Sequence, residues 1–276
     1  RHMKRLTARI PGDEGLPIFG NVFGQGRLSE SMPRDLLIRA KAARDQFDGQ
    51  LLKFWALHQC LIFPLTGEML QPILESKEEI DKLANFDFFE AWLGRALLLS
   101  GGDRWRAKRK MLTPSFHFTQ LLAYIDTMNG HAKRLAAVFE DHCEKELDVY
   151  PYLKRFTLDV ICDTAMGKNL DSLYQPDLPY AKAISKLMRL GFAAIGNVLL
   201  WSQLGQWITG WQKERDENVK IAHDFTMKVV TERAELLARG AVDANKKAFL
   251  DLLLLEKEKC NLSMDDIREE VDTFMF

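Results

Sequence analysis

From Glu68 onward most apolar residues recur at helical spacing, which predicts a mainly helical core interrupted by the "NLDSLYQPDLP" loop. Ala132, Leu135, Ala136, Phe139 and Cys143 predict one apolar helix face. "YLKRFTLDVICDTAMG" predicts a second, more buried helix that Gly167 stops. Further helices are expected over Tyr180–Leu190, over Lys213–Arg239 with Ala222, Phe225 and Val229 inward and Gly240 as the stop, and over Phe249–Lys259. Ser263 with Asp266 forms a capping-box pattern, in which each side chain satisfies a free N–H of the first turn. Ile267, Val271 and Phe274 then share a face, and no stop signal follows, so the chain is expected to end inside that helix.

Only the first quarter departs from this pattern. Arg9–Asn21 is rich in Pro and Gly and predicts a stiff, irregular leader. Pro33–Phe47 predicts a short amphipathic helix. "LLKFWAL" and "CLIFPL", separated by His58-Gln59, predict a β-hairpin, with Pro64 at an edge or an end. The expected fold is therefore mainly α with one small hairpin. It forms a single partial domain: leader over 1–32, hairpin over 50–66 and helical part over 67–276.

Composition removes several functions. With a net charge of −1 and no basic stripe or nucleic-acid motif, the chain is not expected to bind nucleic acid. Cys60, Cys143, Cys162 and Cys260 are too widely spaced for a zinc pattern, and the histidines give no metal spacing; reduced thiols are expected. No signal segment opens the sequence. Leu190–Gln212 carries no charge and is long enough to span a bilayer, yet Asn197, Ser202 and Gly205 argue against a span. Two readings stay open for it: a buried helix with an apolar loop broken near Gly205, or a loop whose Trp201, Trp207 and Trp211 enter a membrane interface.

Against this neutral background, five of the seven residues from Arg104 to Lys110 are basic, with Trp105 among them. If Asp103 caps a helix that Thr113-Pro114 ends, Trp105 and Arg109 lie one turn apart on one face, with Lys108 and Leu112 nearby. An indole N–H and a guanidinium in an apolar surround suit a carboxylate or phosphate at the edge of a flat apolar body. Arg106 and Lys110 point outward and suit an acidic partner or an anionic membrane. A plain solvated helix face would carry the same charges.

"RALLLSGGDRWRAKRKMLTPSFHF" resembles the helix-C region of the haem-thiolate monooxygenases, the cytochrome P-450 family, and is closest to the family-four, fatty-acid ω-hydroxylase-like branch. "RIPGDEGLPIFGN" resembles the hinge after the membrane anchor, "LKRFTLDVICDTAMG" resembles helix E, and "AFLDLLL" with "LSMDDIREEVDTFMF" resembles the run into helix I. The segments come in family order, so the fold implied is the N-terminal portion of the P-450 fold, helices A to the start of I.

The resemblance implies a haem cofactor (iron protoporphyrin IX) whose propionates are bound by Trp105 and Arg109. It implies Leu97 and Leu98 as substrate-pocket residues and Arg106 and Lys110 on the surface where an acidic, NADPH-dependent reductase docks. It also implies an apolar, lipid-like substrate, a membrane interface through Leu190–Gln212 and a preceding anchor, and a place on the cytoplasmic face of the endoplasmic reticulum membrane. Asp13 and Arg95-Ala96 depart from the branch pattern. None of the four cysteines has the surroundings of the family's haem ligand, and the helix-K E-x-x-R and helix-I acid-alcohol pairs are missing, so no catalytic residue is assigned and the chain alone is expected to be inactive. The alternative is a non-catalytic helical protein whose basic helix meets an acidic partner or a membrane.

Overall fold

The computed structural model describes residues 2–12, 32–47, 50–56, 59–82, 88–242 and 247–276. The leader beyond Gly12 and the expected turn residue His58 lie outside the described residues. Two compact units form: Arg1–Ile80 with Leu190–Trp211, and Asp81–Arg189 with Gln212–Phe276.

In the first unit, α1 (His2–Leu6), α2 (Met32–Phe47) and α3 (Gly67–Glu75) accompany an antiparallel hairpin of β1 (Leu51–Ala56) and β2 (Gln59–Pro64). The register sets Leu51 opposite Pro64 and Trp55 opposite Cys60, so the proline closes its strand as expected. The described part of the leader docks on β1: the Lys53 N–H donates to the Pro11 carbonyl at 2.8 Å. Gly12 beside it has φ +139°, and a Cβ there would stand 2.2 Å from the Lys53 carbonyl oxygen, so this close approach requires glycine.

The uncharged stretch in this unit is neither a span nor one continuous helix. The expected helix Tyr180–Leu190 runs on as α9 (Pro179–Gly196), a 3-10 turn covers Val198–Trp201, and α10 (Gln203–Ile208) follows. No helix among the described residues is long and apolar enough to cross a membrane. Gly205 does not break the segment; it lies inside α10, where a Cβ would meet the Leu199 carbonyl oxygen at 1.8 Å. The three tryptophans divide. The Trp201 and Trp211 indoles donate to the Ala194 and Leu190 carbonyls, each at 3.0 Å. Trp207 is 73% exposed, together with Phe192, Leu199, Leu204 and Ile208.

The second unit is helical: α4 (Glu90–Leu93), α5 (Gly102–Leu112), α6 (Phe118–Leu122), α7 (Ile125–Glu140), α8 (Tyr150–Met166), α11 (Trp211–Ala238), α12 (Phe249–Leu255) and α13 (Met264–Met275). α7 packs on α8 through Leu135, Val138, Phe139, Tyr152 and Phe156. The face expected on α7 is displaced: His131, Leu135 and Val138 are buried, whereas Ala132, Ala136 and Cys143 are exposed. His131 reaches Asp163 of α8 at 3.0 Å, so a polar pair claims the position that two alanines were expected to fill.

α12 stops at Leu255, four residues before the expected Lys259. Gly167 and Gly240 end α8 and α11 with φ of +64° and +66°, as their sequence positions predict. On α11, Ala222 and Val229 are buried, and Phe225 stacks on Tyr180 at 4.4 Å between centroids.

This unit buries carboxylates but gives each one donors. Asp159 accepts the Ser172 and Leu173 N–H groups at 2.6 and 2.9 Å. Asp251 takes both arms of the Arg233 guanidinium at 2.6 Å, and the Ala248 N–H at 2.8 Å. Asp272 accepts from Thr226 and Arg268 at 2.6 and 2.7 Å. Such groups are tolerable inside a protein only with donors of this kind.

Candidate functional site

The basic stretch is α5, and its start differs from expectation. The N-cap is Gly101, not Asp103, and Gly102 enters the helix with φ +52°. A Cβ on Gly101 would stand 2.4 Å from the Asp81 carboxylate, so two glycines rather than a capping acid shape the entry. Asp103 instead sits in the first turn and pairs with Arg106 at 2.8 Å. The α-helix ends at Leu112, and Thr113–Phe116 tightens into a 3-10 turn at the proline.

The five cations separate into three groups. Arg104 and Lys108, one turn apart, face α13. The Lys108 ammonium meets Glu270 at 2.5 Å with both side chains almost fully buried. Arg104 donates to the Arg95 carbonyl at 3.2 Å and lies 4.0 Å from Glu269. Lys108 therefore does not belong beside Trp105 and Arg109, where the sequence spacing alone put it. Trp105 and Arg109 form the second group: the indole is half-buried, the guanidinium exposed, and no ion pair engages Arg109 among the described residues. The third group faces solvent, with Arg106 shared with Asp103 and Lys110 exposed.

Glu269 and Glu270 were not found from the sequence. One signal was available: Glu270 falls three residues after Ile267 and four before Phe274, an acid on the apolar stripe of α13. It is 1% exposed, and its second oxygen accepts the Leu97 N–H at 3.1 Å. Glu269 accepts the Arg95 N–H at 3.2 Å. The 94–99 turn carrying Leu97 and Leu98 thus hangs from α13 by its backbone. Leu97 is half-buried, and Leu98 is 40% exposed rather than core.

At the start of α13 the capping box expected from Ser263 and Asp266 is formed: the Asp266 N–H donates to Ser263 Oγ, and the Ser263 N–H donates back to the carboxylate, both at 3.0 Å. Asp266 is held below the ordinary carboxylate range, first by its hydrogen bond from Ser263 and further by the nearby charges of Lys108 and Arg104. The four cysteines are free. Cys162 is buried on α8, and burial, with Asp159 nearby, pushes its thiol up to about 12, so it stays protonated. No cluster of metal-ligating side chains occurs among the described residues.

Residues 10–276 match the family model described as Cytochrome P450. The chain is similar to "Cytochrome P450 4V2" of Pongo abelii, at 40% identity over 242 residues that cover 82% of this chain and 46% of that protein. It is 39% identical to the Homo sapiens protein of the same name over the same shares. Against "Cytochrome P450 4d2" of Drosophila melanogaster it is 28% identical over 293 residues, covering 99% of this chain and 57% of the relative. The chain spans about half the length of these curated relatives.

Proposed function

The chain belongs to the cytochrome P450 family, and on that premise we propose that it supplies the propionate-binding wall of a haem-dependent monooxygenase. The observation that carries this reading is the division of α5: α13 and Asp103 engage three of its cations, while Arg109, one turn after the half-buried Trp105, is exposed and pairs with no carboxylate among the described residues. All the donors on that face are N–H groups, and no carboxylate engages Arg109 among the described residues. The face therefore fits an anionic rim on a flat apolar ring.

Haem, when bound, supplies the activation of molecular oxygen from which one atom enters the substrate. Arg109 donates N–H bonds to a propionate, and the Trp105 indole adds a donor one turn away. Leu97 and Leu98 line the pocket for an apolar, fatty-acid-like or other lipid-like substrate, as the family-four resemblance suggests. Lys110, with Arg106, offers positive charge to an acidic NADPH-dependent reductase.

Phe192, Leu199, Leu204, Trp207 and Ile208 provide an uncharged, exposed apolar surface that enters a membrane interface. This surface supports contact with a membrane; the cytoplasmic face of the endoplasmic reticulum is the place that the family resemblance implies. None of the four cysteines has the surroundings of the family's haem ligand, so the chain by itself is inactive.

Haem retention tests the reading. In the complete haem-loaded protein, Arg109→Ala is expected to lose haem about tenfold faster than the parent, as loss of a charge-assisted hydrogen bond requires, whereas Lys110→Ala stays within about twofold. Equal losses from the two variants would reject the assignment of the anion-binding face.

A further inference from the structure

The 94–100 segment and α5 share one support. Glu269 and Glu270 are adjacent on α13, and each engages both partners. Glu269 accepts the Arg95 N–H at 3.2 Å and lies 4.0 Å from Arg104. Glu270 accepts the Leu97 N–H on one oxygen at 3.1 Å and Lys108 on the other at 2.5 Å. The seat is tight. Gly94 has φ +58°, and a Cβ there would stand 2.1 Å from the Glu269 carboxyl carbon. Ala96, between the two N–H donors, is fully buried. Glu270 has a buried cation on one side and a backbone amide on the other, and neither the turn nor α5 can shift against α13 without breaking one of its bonds.

We propose that Glu270 is a positioning residue that couples the substrate-lining turn to the anion-binding helix: one buried carboxylate fixes Leu97 through its backbone and α5 through Lys108. The proposal rests on the haem and pocket assignments given above for its functional meaning, but the clamp is a property of this chain's own residues. It makes the occupancy of the pocket and the grip on the propionates thermodynamically linked, because both depend on one group. The carboxylate has two acceptor oxygens and uses one for each partner. An amide keeps a single oxygen and an ammonium has none, so the two connections can be cut separately.

The test uses the complete haem-loaded protein, with three readouts: hydrogen exchange at the Leu97 amide, the rate of haem loss to an apo-globin acceptor, and the dissociation constant of a long-chain fatty acid. Glu270→Gln leaves one oxygen for two partners: the charged Lys108 keeps it, the amide nitrogen then faces the Leu97 N–H, and Leu97 exchange and the fatty-acid dissociation constant are expected to rise by about tenfold, within the usual span of coupling between sites, with a smaller rise in haem loss. Lys108→Met keeps the acceptor for Leu97; it speeds haem loss but leaves Leu97 exchange within about twofold, since that amide's local opening is unaltered. The exchanged pair, Lys108→Glu with Glu270→Lys, restores the ion pair but not the acceptor. It recovers haem retention while Leu97 exchange stays fast.

Glu270→Gln with unchanged Leu97 exchange would overturn the proposal, and so would an exchanged pair that restores all three readouts. Lys108→Met and the exchanged pair decide the matter if Glu270→Gln does not fold. Failure of the haem assignment looks different: Arg109→Ala would then hold haem like the parent, while Glu270→Gln would still release the Leu97 amide.

Discussion

Two faces of α5, one residue apart in sequence, meet opposite surroundings. Arg104 and Lys108 turn to α13, where Glu269 and Glu270 neutralise them. Trp105 and Arg109 turn elsewhere, and no carboxylate of the described residues engages Arg109. The lesson is that a run of basic residues is not one electrostatic object. A burial-driven ion pair on one side fixes the helix, and a rigid helix is what allows the other side to present a guanidinium in a defined place.

The largest effect expected from this contrast is on stability. Lys108→Met removes a cation whose partner is 1% exposed, and breaking a buried pair costs about 3–5 kcal/mol. Arg109→Met, on the exposed side of the same helix, should cost no more than the roughly 1.4 kcal/mol that a tenfold weaker hold on haem carries. Denaturant unfolding of the two variants measures the difference, and equal costs would erase the distinction between the faces.

A smaller effect concerns the acid end of α13. The folded-state pKa of Asp266 lies below its ordinary value of 3.8, so it contributes stability above that pH, and the contribution is lost as pH falls through the folded value. Ser263→Ala removes the leading cause of the shift and should cost about 0.5–2 kcal/mol at neutral pH, as loss of an N-cap does. An NMR titration of the Asp266 carboxyl should then move up toward 3.8; an unmoved titration would show that Lys108 and Arg104, not the cap, set its charge. The smallest effect is at the solvent-facing group. Lys110→Ala should slow reduction by an acidic reductase by a few-fold at low salt and scarcely at all at high salt, because exposed charges are screened. A salt-independent loss would place Lys110 in a direct structural role instead.

What the sequence made legible was local. The Ser263/Asp266 box joins residues three apart, and it formed as expected. The hairpin and the glycine stops of α8 and α11 likewise depend on short-range geometry. The division of α5 into paired and unpaired cations was only half legible. Four-residue spacing puts Trp105 and Arg109 on a common face, but the partner that withdraws Lys108 from their neighbourhood lies 162 residues away. The same cause displaced the face of α7, where His131 answers to Asp163 across 32 residues. Gly205 reads as a breaker because helix propensity weighs a glycine that way, while the Leu199 carbonyl packed against it requires a glycine inside α10.

The most direct test is an experimental structure of the complete haem-loaded protein, read at α5 alone. An Arg109 guanidinium nitrogen is expected about 2.7–2.9 Å from a propionate oxygen, with Lys108 still on Glu270. Arg109 on a protein carboxylate, or Lys108 drawn off Glu270 to the propionate, would contradict that arrangement.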